Sequence, residues 1–231
     1  MNILIVGATR GIGQQLLEQA LTAGHSVTAL VRNPQKLSTQ SERLKIIKGD
    51  ILDSESVGLA MAGQEAVCCT IGVKIPWIRV TVFSEGTQNL LQAMKKTGVK
   101  RVVCVTGIGA GDSKGHGGFL YDSIFLPFLL RTIYADKDRQ ESLIKASGID
   151  WTIVRPGFLT NGPLTENYQI LTNMAGVTAG RISRADVAHF MLKELDAKQY
   201  LRQTPLLEST EFYPTFLPLT FQSSSSILRG R

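Results

Sequence analysis

The chain has 231 residues, 43% of them hydrophobic and 19% charged, which is typical of a soluble globular protein with a sizeable core. No apolar run is long enough for a membrane-spanning helix, and the opening residues lead straight into an apolar run that does not resemble a signal peptide. The formal net charge of +6 comes from dispersed basic residues, which favours a solvated surface and a phosphate-bearing ligand over nucleic acid.

Apolar runs alternate with helical patterns from the first residues onward. Strands are predicted at 2–6, 26–31, 44–47, 65–71, 99–106 and 150–155, with a seventh, edge strand at 204–209. Helices are predicted at 12–23, 54–62, 84–96 and 184–195. Strands separated by helices predict right-handed crossovers and a parallel sheet that is buried on both faces. The predicted fold class is therefore α/β, a Rossmann-like doubly wound parallel sheet flanked by helices.

No internal repeat or linker divides the chain before its last stretch. Residues 211–231 change character, with two prolines, a run of serines and basic residues at the end. We predict one domain over residues 1–210, which includes the substrate region, and an irregular C-terminal tail over 211–231.

The three cysteines, Cys68, Cys69 and Cys104, all lie in apolar runs. This placement predicts buried free thiols and a reducing compartment, and we expect a cytoplasmic protein. The three histidines are scattered, so we expect no metal site. The sequence leaves open whether the protein is a monomer or a homodimer.

The stretch GATRGIG (7–13) joins the first predicted strand to the first helix. Glycines suit this place because the backbone turns sharply and a pyrophosphate approaches it closely. The free N–H groups and the dipole of the following helix favour phosphate binding. The alternative is a plain strand–helix turn, but the strand before and the helix after give the motif its expected context.

The end of the second strand carries a cation where NAD-dependent enzymes usually place an acid. In ALVRN, Arg32 takes that position, and a guanidinium pairs with a 2′-phosphate that a carboxylate would repel. Arg10 adds a second candidate contact. The two arginines predict NADP (NADPH) as the cofactor, although Arg32 also suits a solvated strand end. Asp50 and Ile51 follow the third strand, where they can contact adenine.

Six blocks of the sequence carry a family resemblance: GATRGIG, ALVRN, KGDILD, SEGTQNLLQAMKKTGVKRVV, DWTIVRPGFLTNGPLT and RISRADVAHFML. Together they resemble the atypical short-chain dehydrogenases/reductases, and more narrowly the NAD(P)H-binding, NmrA-like group that includes biliverdin reductase B, a flavin reductase. The resemblance extends from the N-terminus through RISRADVAHFML and leaves out the tail. Where that flavin reductase has a serine beside the nicotinamide, this chain has Gly107 after Thr106, which puts its detailed mechanism in doubt here.

The resemblance implies a Rossmann-like NAD(P)-binding domain with its cofactor along the carboxyl ends of the strands. It places Gly7, Thr9, Arg10, Gly11, Ile12 and Gly13 at the pyrophosphate, Arg32 at the 2′-phosphate, and Asp50 and Ile51 at the adenine. It places Ile71 and Gly72 at the adenosine ribose, Thr106 at the nicotinamide ribose, and Pro156, Gly157, Phe158 and Leu159 at the nicotinamide.

Tyr134 and Lys137 lie three positions apart, whereas many short-chain dehydrogenases use a tyrosine and a lysine four apart. There the tyrosine is the general acid/base and the lysine lowers its pKa. Both spacings share a helix face, but a change of one residue rotates a side chain by about 100°. Neither Ser113 nor Ser123 is clearly placed to act as the serine of such a site. We expect Lys137 to contact the ribose, and we leave the catalytic residues unassigned.

Two other stretches have structural interpretations. Residues 183–186, SRAD, match a helix capping box with Ser183 as N-cap and Asp186 three residues later. Residues 118–134 are apolar on all sides with Pro127 among them, so we expect them to be buried or to cover the substrate site. A membrane-surface role for these residues is the alternative.

The sequence therefore predicts an NADP(H)-dependent oxidoreductase that transfers a hydride to a small planar acceptor, flavin-, quinone- or tetrapyrrole-like. The alternative is a regulator that binds NADP(H), performs no chemistry and acts through a protein partner. The shifted tyrosine–lysine spacing favours the regulator. The resemblance to a flavin reductase favours the enzyme, because hydride transfer to a flat ring needs little beyond positioning.

Overall fold

The computed structural model describes residues 1–73 and 79–210. The strands are β1 (Asn2–Val6), β2 (Ser26–Val31), β3 (Leu44–Lys48), β4 (Ala66–Cys69), β5 (Arg101–Val105), β6 (Asp150–Pro156), β7 (Phe158–Thr160), β8 (Tyr168–Leu171), β9 (Arg181–Ser183) and β10 (Leu206–Ser209). The α-helices are α1 (Gly11–Thr22), α2 (Ser54–Met61), α3 (Val82–Thr97), α4 (Arg131–Ala146) and α5 (Arg184–Ala197).

Eight strands form one sheet in the order β3-β2-β1-β4-β5-β6-β10-β8, and all neighbours except β10 and β8 are parallel. The strand order reverses between β1 and β4, which is the switch point where open α/β sheets bind ligands. The predicted doubly wound fold is confirmed. β7 and β9 pair separately as a small parallel sheet.

Alternate residues of β1 supply two separate cores. Ile3 and Ile5 face one side, where α1 and α5 pack against the sheet. Leu4 and Val6 face the other side, in a cluster with residues of α2, α3 and α4. Successive side chains of a strand point to opposite faces, so an uninterrupted apolar strand is the expected sequence for a sheet covered on both sides.

Two expectations about the sheet are corrected. The predicted edge strand at 204–209 is shorter, as β10, and lies inside the sheet because β8 pairs antiparallel outside it. The strands β7, β8 and β9 were not predicted, since each is only three or four residues long and has no clear alternation. The predicted tail over 211–231 lies outside the described residues.

The apolar stretch at 118–134 contains a π-helix, Tyr121–Leu129, with Pro127 inside it. Not one of these nine residues is buried, so of the two expectations for 118–134 burial is wrong for the π-helix, whereas Ile133 and Tyr134 at the end of the stretch are buried. Several large apolar side chains on and beside this π-helix are exposed, including Phe119 at 81% and Phe128 at 80%. The segment instead borders the cleft described below through Tyr121, with Leu130 following it.

The helix ends follow their sequence signals. The Ser183 hydroxyl accepts from the Asp186 N–H at 2.9 Å, so the predicted N-cap of α5 is confirmed. Asp53 caps α2, and Gly98 ends α3 in the left-handed conformation. The three cysteines are buried and free. Among the described residues no helix is long and apolar enough to cross a bilayer.

Candidate functional site

One large cleft, of about 1470 Å³, opens at the carboxyl edge of the sheet where the strand order reverses. Its lining combines the last residues of β1, β2, β5 and β6 with the turns that follow β1, β3 and β4. All the predicted site residues except Gly13 lie on it: Gly7, Thr9, Arg10, Gly11, Ile12, Arg32, Asp50, Ile51, Ile71, Gly72, Thr106, Lys137, Pro156, Gly157, Phe158 and Leu159. The fold thus brings residues from seven separate stretches of the sequence to one surface.

Gly13 lies behind the lining and allows α1 to approach the sheet. A Cβ on Gly13 would lie 2.2 Å from the Gly7 carbonyl oxygen and 2.4 Å from the Thr70 hydroxyl, closer than any side chain tolerates. This is the close helix–strand packing for which the third glycine of a dinucleotide-binding turn is required. The N-cap residue of α1, Arg10, makes no side-chain capping bond, and the first turn of the helix holds no acid. Its first N–H groups are therefore available to an anion at the cleft.

Cations line the end of the cleft near β2. Arg32 is exposed, and among the described residues no carboxylate pairs with its guanidinium. Lys36 lies on the same lining, in the short 3₁₀ turn that follows. Arg10 donates to the Gly72 carbonyl at 3.1 Å and so ties the glycine turn to the segment after β4. This end of the cleft has the charge that a phosphate group requires.

Asp50 and Ile51 lie on the same lining, and each makes its own contacts within the protein. The Asp50 carboxylate accepts from the Leu52 N–H at 3.0 Å, which shapes the turn after β3. The Ile51 side chain is buried and packs on Gly86 of α3, and its carbonyl accepts from Asn89. Ile51 nevertheless lies on the cleft lining.

Lys137 reaches the cleft from α4, and its ammonium donates to the Thr106 carbonyl. The ammonium also lies 4.9 Å from the centre of the Tyr134 ring and 5.6 Å from that of Phe83. Burial lowers the pKa of Lys137 to about 8, against the opposing influence of Cys104 and Glu141. The Thr106 hydroxyl turns away from the cleft and donates to Glu141 at 2.8 Å.

Tyr134 also lines the cleft, but its surroundings differ from those of a tyrosine acid. Its hydroxyl accepts from the Tyr121 hydroxyl at 2.7 Å, and the residue is 8% exposed. Burial, with the neighbouring Tyr121, raises the pKa of Tyr134 well above its ordinary value. The lysine of a catalytic pair would lower that pKa, whereas the Lys137 ammonium is bound to the carbonyl of Thr106.

Gly107 stands where the tyrosine and lysine side chains meet the strand end. Its φ is +141°, and a Cβ there would lie 3.2 Å from the Tyr134 hydroxyl and 3.5 Å from the Lys137 nitrogen. A serine at this position would therefore touch both groups. Ser113 and Ser123 are not on the cleft lining. Ser113 is buried, with its hydroxyl bound to Ala110 and Gly109.

A buried ion-pair network supports the ends of β5 and β6. Arg155, which is 0% exposed, donates to both carboxylate oxygens of Glu141 at 3.0 and 2.6 Å. Asp112, in the loop after Gly107, pairs with the same guanidinium at 2.5 Å. Burial alone would raise the pKa of Glu141, but hydrogen bonds and charge from Arg155 outweigh it and hold that pKa below its ordinary value. This network fixes the Thr106 strand end through its hydroxyl.

The end of the cleft beyond Lys137 is apolar and aromatic. The rings of Tyr121 and Phe158 meet edge to face with centres 5.3 Å apart. Leu130, Pro156 and Leu159 complete this part of the lining. It is open to solvent, since Phe158 and Leu159 are each more than a third exposed.

Several lining residues were not predicted, among them Lys36, Asn161 and Arg184. The sequence could have predicted Lys36, since it follows Arg32 by four residues at the same strand end. Tyr121 and Leu130 belong to the 118–134 stretch, and their place on the lining agrees with the expectation that this stretch is buried or covers the substrate site. Arg184 and Asn161 had no signal in the sequence, because only the folded chain brings them to the glycine turn.

A doubly wound sheet, a glycine turn between β1 and α1 and a cleft at the switch point define the Rossmann class of nucleotide-binding proteins. Residues 7–198 match the family whose description is NAD(P)H-binding. The chain belongs to this NAD(P)H-binding family, which confirms the resemblance seen in the sequence motifs.

Known relatives and structures share most of the chain. An uncharacterized chloroplastic protein of Arabidopsis thaliana is 32% identical over 209 residues, which cover 84% of this chain and 71% of the relative. An uncharacterized sugar epimerase of Bacillus subtilis, YhfK, is 28% identical over 204 residues, with 86% and 89% covered. ChuY, an anaerobillin reductase from Escherichia coli O157:H7, matches with a TM-score of 0.78 at 24% identity, over 93% of this chain and 100% of ChuY. That structural likeness concerns the fold.

Proposed function

We propose that the protein is an NADP(H)-dependent oxidoreductase that passes a hydride to a small planar acceptor, flavin-, quinone- or tetrapyrrole-like. The observation that carries this proposal is the continuity of a single cleft. One end has the glycine turn and the exposed Arg32, and the other has the aromatic wall formed by Tyr121 and Phe158. A charged end joined to an open apolar end suits a dinucleotide and a flat acceptor bound side by side.

The residues of the charged end fit the phosphates of NADP(H). The uncapped N-terminus of α1 would hold the pyrophosphate, and Arg32 would hold the 2′-phosphate. Asp50, Ile51, Ile71 and Gly72 would contact the adenosine. Lys137, whose ammonium is held at the Thr106 carbonyl, would contact the nicotinamide ribose. Bound NADPH supplies the hydride, and these groups hold it in place.

The apolar end would position the acceptor against the nicotinamide. Pro156, Gly157, Phe158 and Leu159 form one wall, and Tyr121 stands against it. Hydride transfer between stacked rings needs close approach and alignment above all. We assign the accompanying proton to water, because the Tyr134 hydroxyl is buried and tied to Tyr121. ChuY, named as a reductase, shares this fold.

A non-catalytic NADP(H)-sensing regulator is the second candidate. It is favoured by the exposed apolar face around Phe119, Ile124 and Phe128, which would suit a protein partner. For either candidate we also propose that residues 1–210 form one domain. We further propose a reducing compartment, because the three cysteines are buried free thiols. We propose that this compartment is the cytoplasm, although the Arabidopsis relative is chloroplastic.

An acceptor screen distinguishes the two candidates. We expect the protein to accelerate oxidation of NADPH by at least one flavin, quinone or linear tetrapyrrole, relative to a protein-free mixture. Phe158→Ala should lower kcat/KM, because Phe158 lines the cleft. Phe119→Ala removes an equally large ring outside the lining and should leave turnover unchanged. Failure of every acceptor, with NADPH tightly bound, would favour the regulator.

Tyr134→Phe is expected to leave turnover within a few-fold of the original protein. The change removes only the hydroxyl that accepts from Tyr121, and the buried ring stays. Loss of a true general acid costs about 10²–10⁴-fold. The measurement is steady-state NADPH oxidation with the acceptor found above, together with the NADPH Kd. A fall in kcat of that larger size at unchanged Kd would show that Tyr134 acts as the acid.

A further inference from the structure

Arg184 brings a cation to the glycine turn from the opposite wall of the cleft. It is the first residue of α5, far from the turn in sequence, and it lies on the cleft lining. A Cβ on Gly11 would lie 3.6 Å from the Arg184 Cδ and 3.7 Å from its Nε. The guanidinium therefore stands directly beside the first residue of α1.

The guanidinium of Arg184 is oriented but not neutralised. Its Nη1 donates to the Asn161 Oδ1 at 2.7 Å, which fixes the side chain across the cleft. Asp186, in the same first turn of α5, instead accepts from the Ser183 hydroxyl and from the N–H and hydroxyl of Thr165. Within residues 1–73 and 79–210, no carboxylate pairs with Arg184. A polar cleft residue with an oriented positive charge suits an anionic ligand.

The position of Arg184 in the cleft indicates which anionic group of the cofactor it binds. Arg32 lies at the end of β2, at the place of a 2′-phosphate, and Phe158 marks the nicotinamide end. Arg184 lies against Gly11, the first residue of α1, and directly follows β9, which pairs with the strand that begins at Phe158. We infer that Arg184 binds the diphosphate of the cofactor and, with Arg10 and the α1 N-terminus, closes a clamp around it. This inference rests on the proposed NADP(H) function.

Contacts to the diphosphate and to the 2′-phosphate should have different effects on the two cofactors. The diphosphate is common to NADPH and NADH, whereas the 2′-phosphate belongs to NADPH alone. Arg184→Gln should therefore weaken both cofactors by the same factor, about tenfold, the usual effect of losing one charge-assisted hydrogen bond. Arg32→Gln should weaken NADPH and leave NADH nearly unchanged. Arg184→Lys should recover part of the affinity, and Asn161→Ala should cause a smaller loss because only the orientation is affected.

The experiment is a titration of full-length protein with NADPH and with NADH, followed by nicotinamide fluorescence. Lys193→Gln, an exposed cation on the same helix outside the cleft, is the control for net charge. Thermal unfolding of each variant shows that the fold is retained. Values for Arg184→Gln within twofold of the control for both cofactors would overturn the inference.

Two other outcomes would also overturn it. Weakening of NADPH alone would make Arg184 a 2′-phosphate contact, and unchanged cofactor binding with a raised acceptor KM would place it at the acceptor. An unmodified protein that binds neither cofactor would contradict the proposed function itself. A negative result for the Arg184 variants can therefore be told apart from a protein that does not bind NADP(H).

Discussion

Arg32→Asp is expected to erase or reverse a preference for NADPH over NADH. In the original protein the exposed Arg32 at the end of β2 lies on the cleft lining, and a charged hydrogen bond there is worth roughly 1.5–3 kcal/mol. That energy corresponds to about tenfold to a hundredfold in affinity. A carboxylate at the same place repels a 2′-phosphate and accepts from a ribose 2′-hydroxyl. The affinities for both cofactors are measured by fluorescence titration.

The control for this change is Arg43→Asp, an identical charge reversal at an exposed residue outside the cleft. It should leave the ratio of the two affinities unchanged. Equal binding of NADPH and NADH by the unmodified protein would contradict the assignment of Arg32 to the 2′-phosphate.

Arg155→Met is expected to destabilise the fold by about 3–5 kcal/mol, because it leaves Glu141 buried without its main partner. Lys145→Met removes the half-exposed partner of the same carboxylate and should cost less than about 1 kcal/mol. The double variant Arg155→Met/Glu141→Met should recover part of the loss, since neither charge of this buried pair remains. Urea unfolding curves measure all three, and a loss below about 1 kcal/mol for Arg155→Met would contradict this account.

The same network predicts a pH dependence. The pKa of Glu141 is lower in the folded protein than its ordinary value, so its contribution to stability is full above the unfolded pKa. That contribution is lost as the pH falls through the folded pKa. Arg155→Met should therefore flatten the acid limb of the stability profile.

The sequence predicted the parts of the fold that rest on local pattern. β1 and β2 match their predicted bounds, since uninterrupted apolar runs beside amphipathic helices indicate a covered parallel sheet. The short strands β7, β8 and β9 and the inner place of β10 were missed. Their pairing is decided by contacts between distant segments, and a three-residue strand has no period to recognise.

The candidate site divides in the same way. The glycine turn and Arg32 were identified because each lies at a fixed place beside a strand end. The buried charge of Arg155 was not identified, because its strand appears apolar and its partner Glu141 lies on the preceding helix. The tyrosine–lysine spacing raised a question that sequence alone left open. The structure places both residues on the cleft, with the Lys137 ammonium on the Thr106 carbonyl.

The central claim is that this cleft transfers a hydride to an acceptor and does more than hold the cofactor. The most direct measurement uses NADPH labelled with deuterium at the nicotinamide C4, in a single turnover with an acceptor from the screen. We predict that oxidation is faster than without protein and shows an isotope effect for one of the two labelled faces only, because the cleft walls hold the ring in one orientation. Tight binding of NADPH with no acceleration and no face selectivity, across flavins, quinones and tetrapyrroles, would contradict the account and favour the regulator.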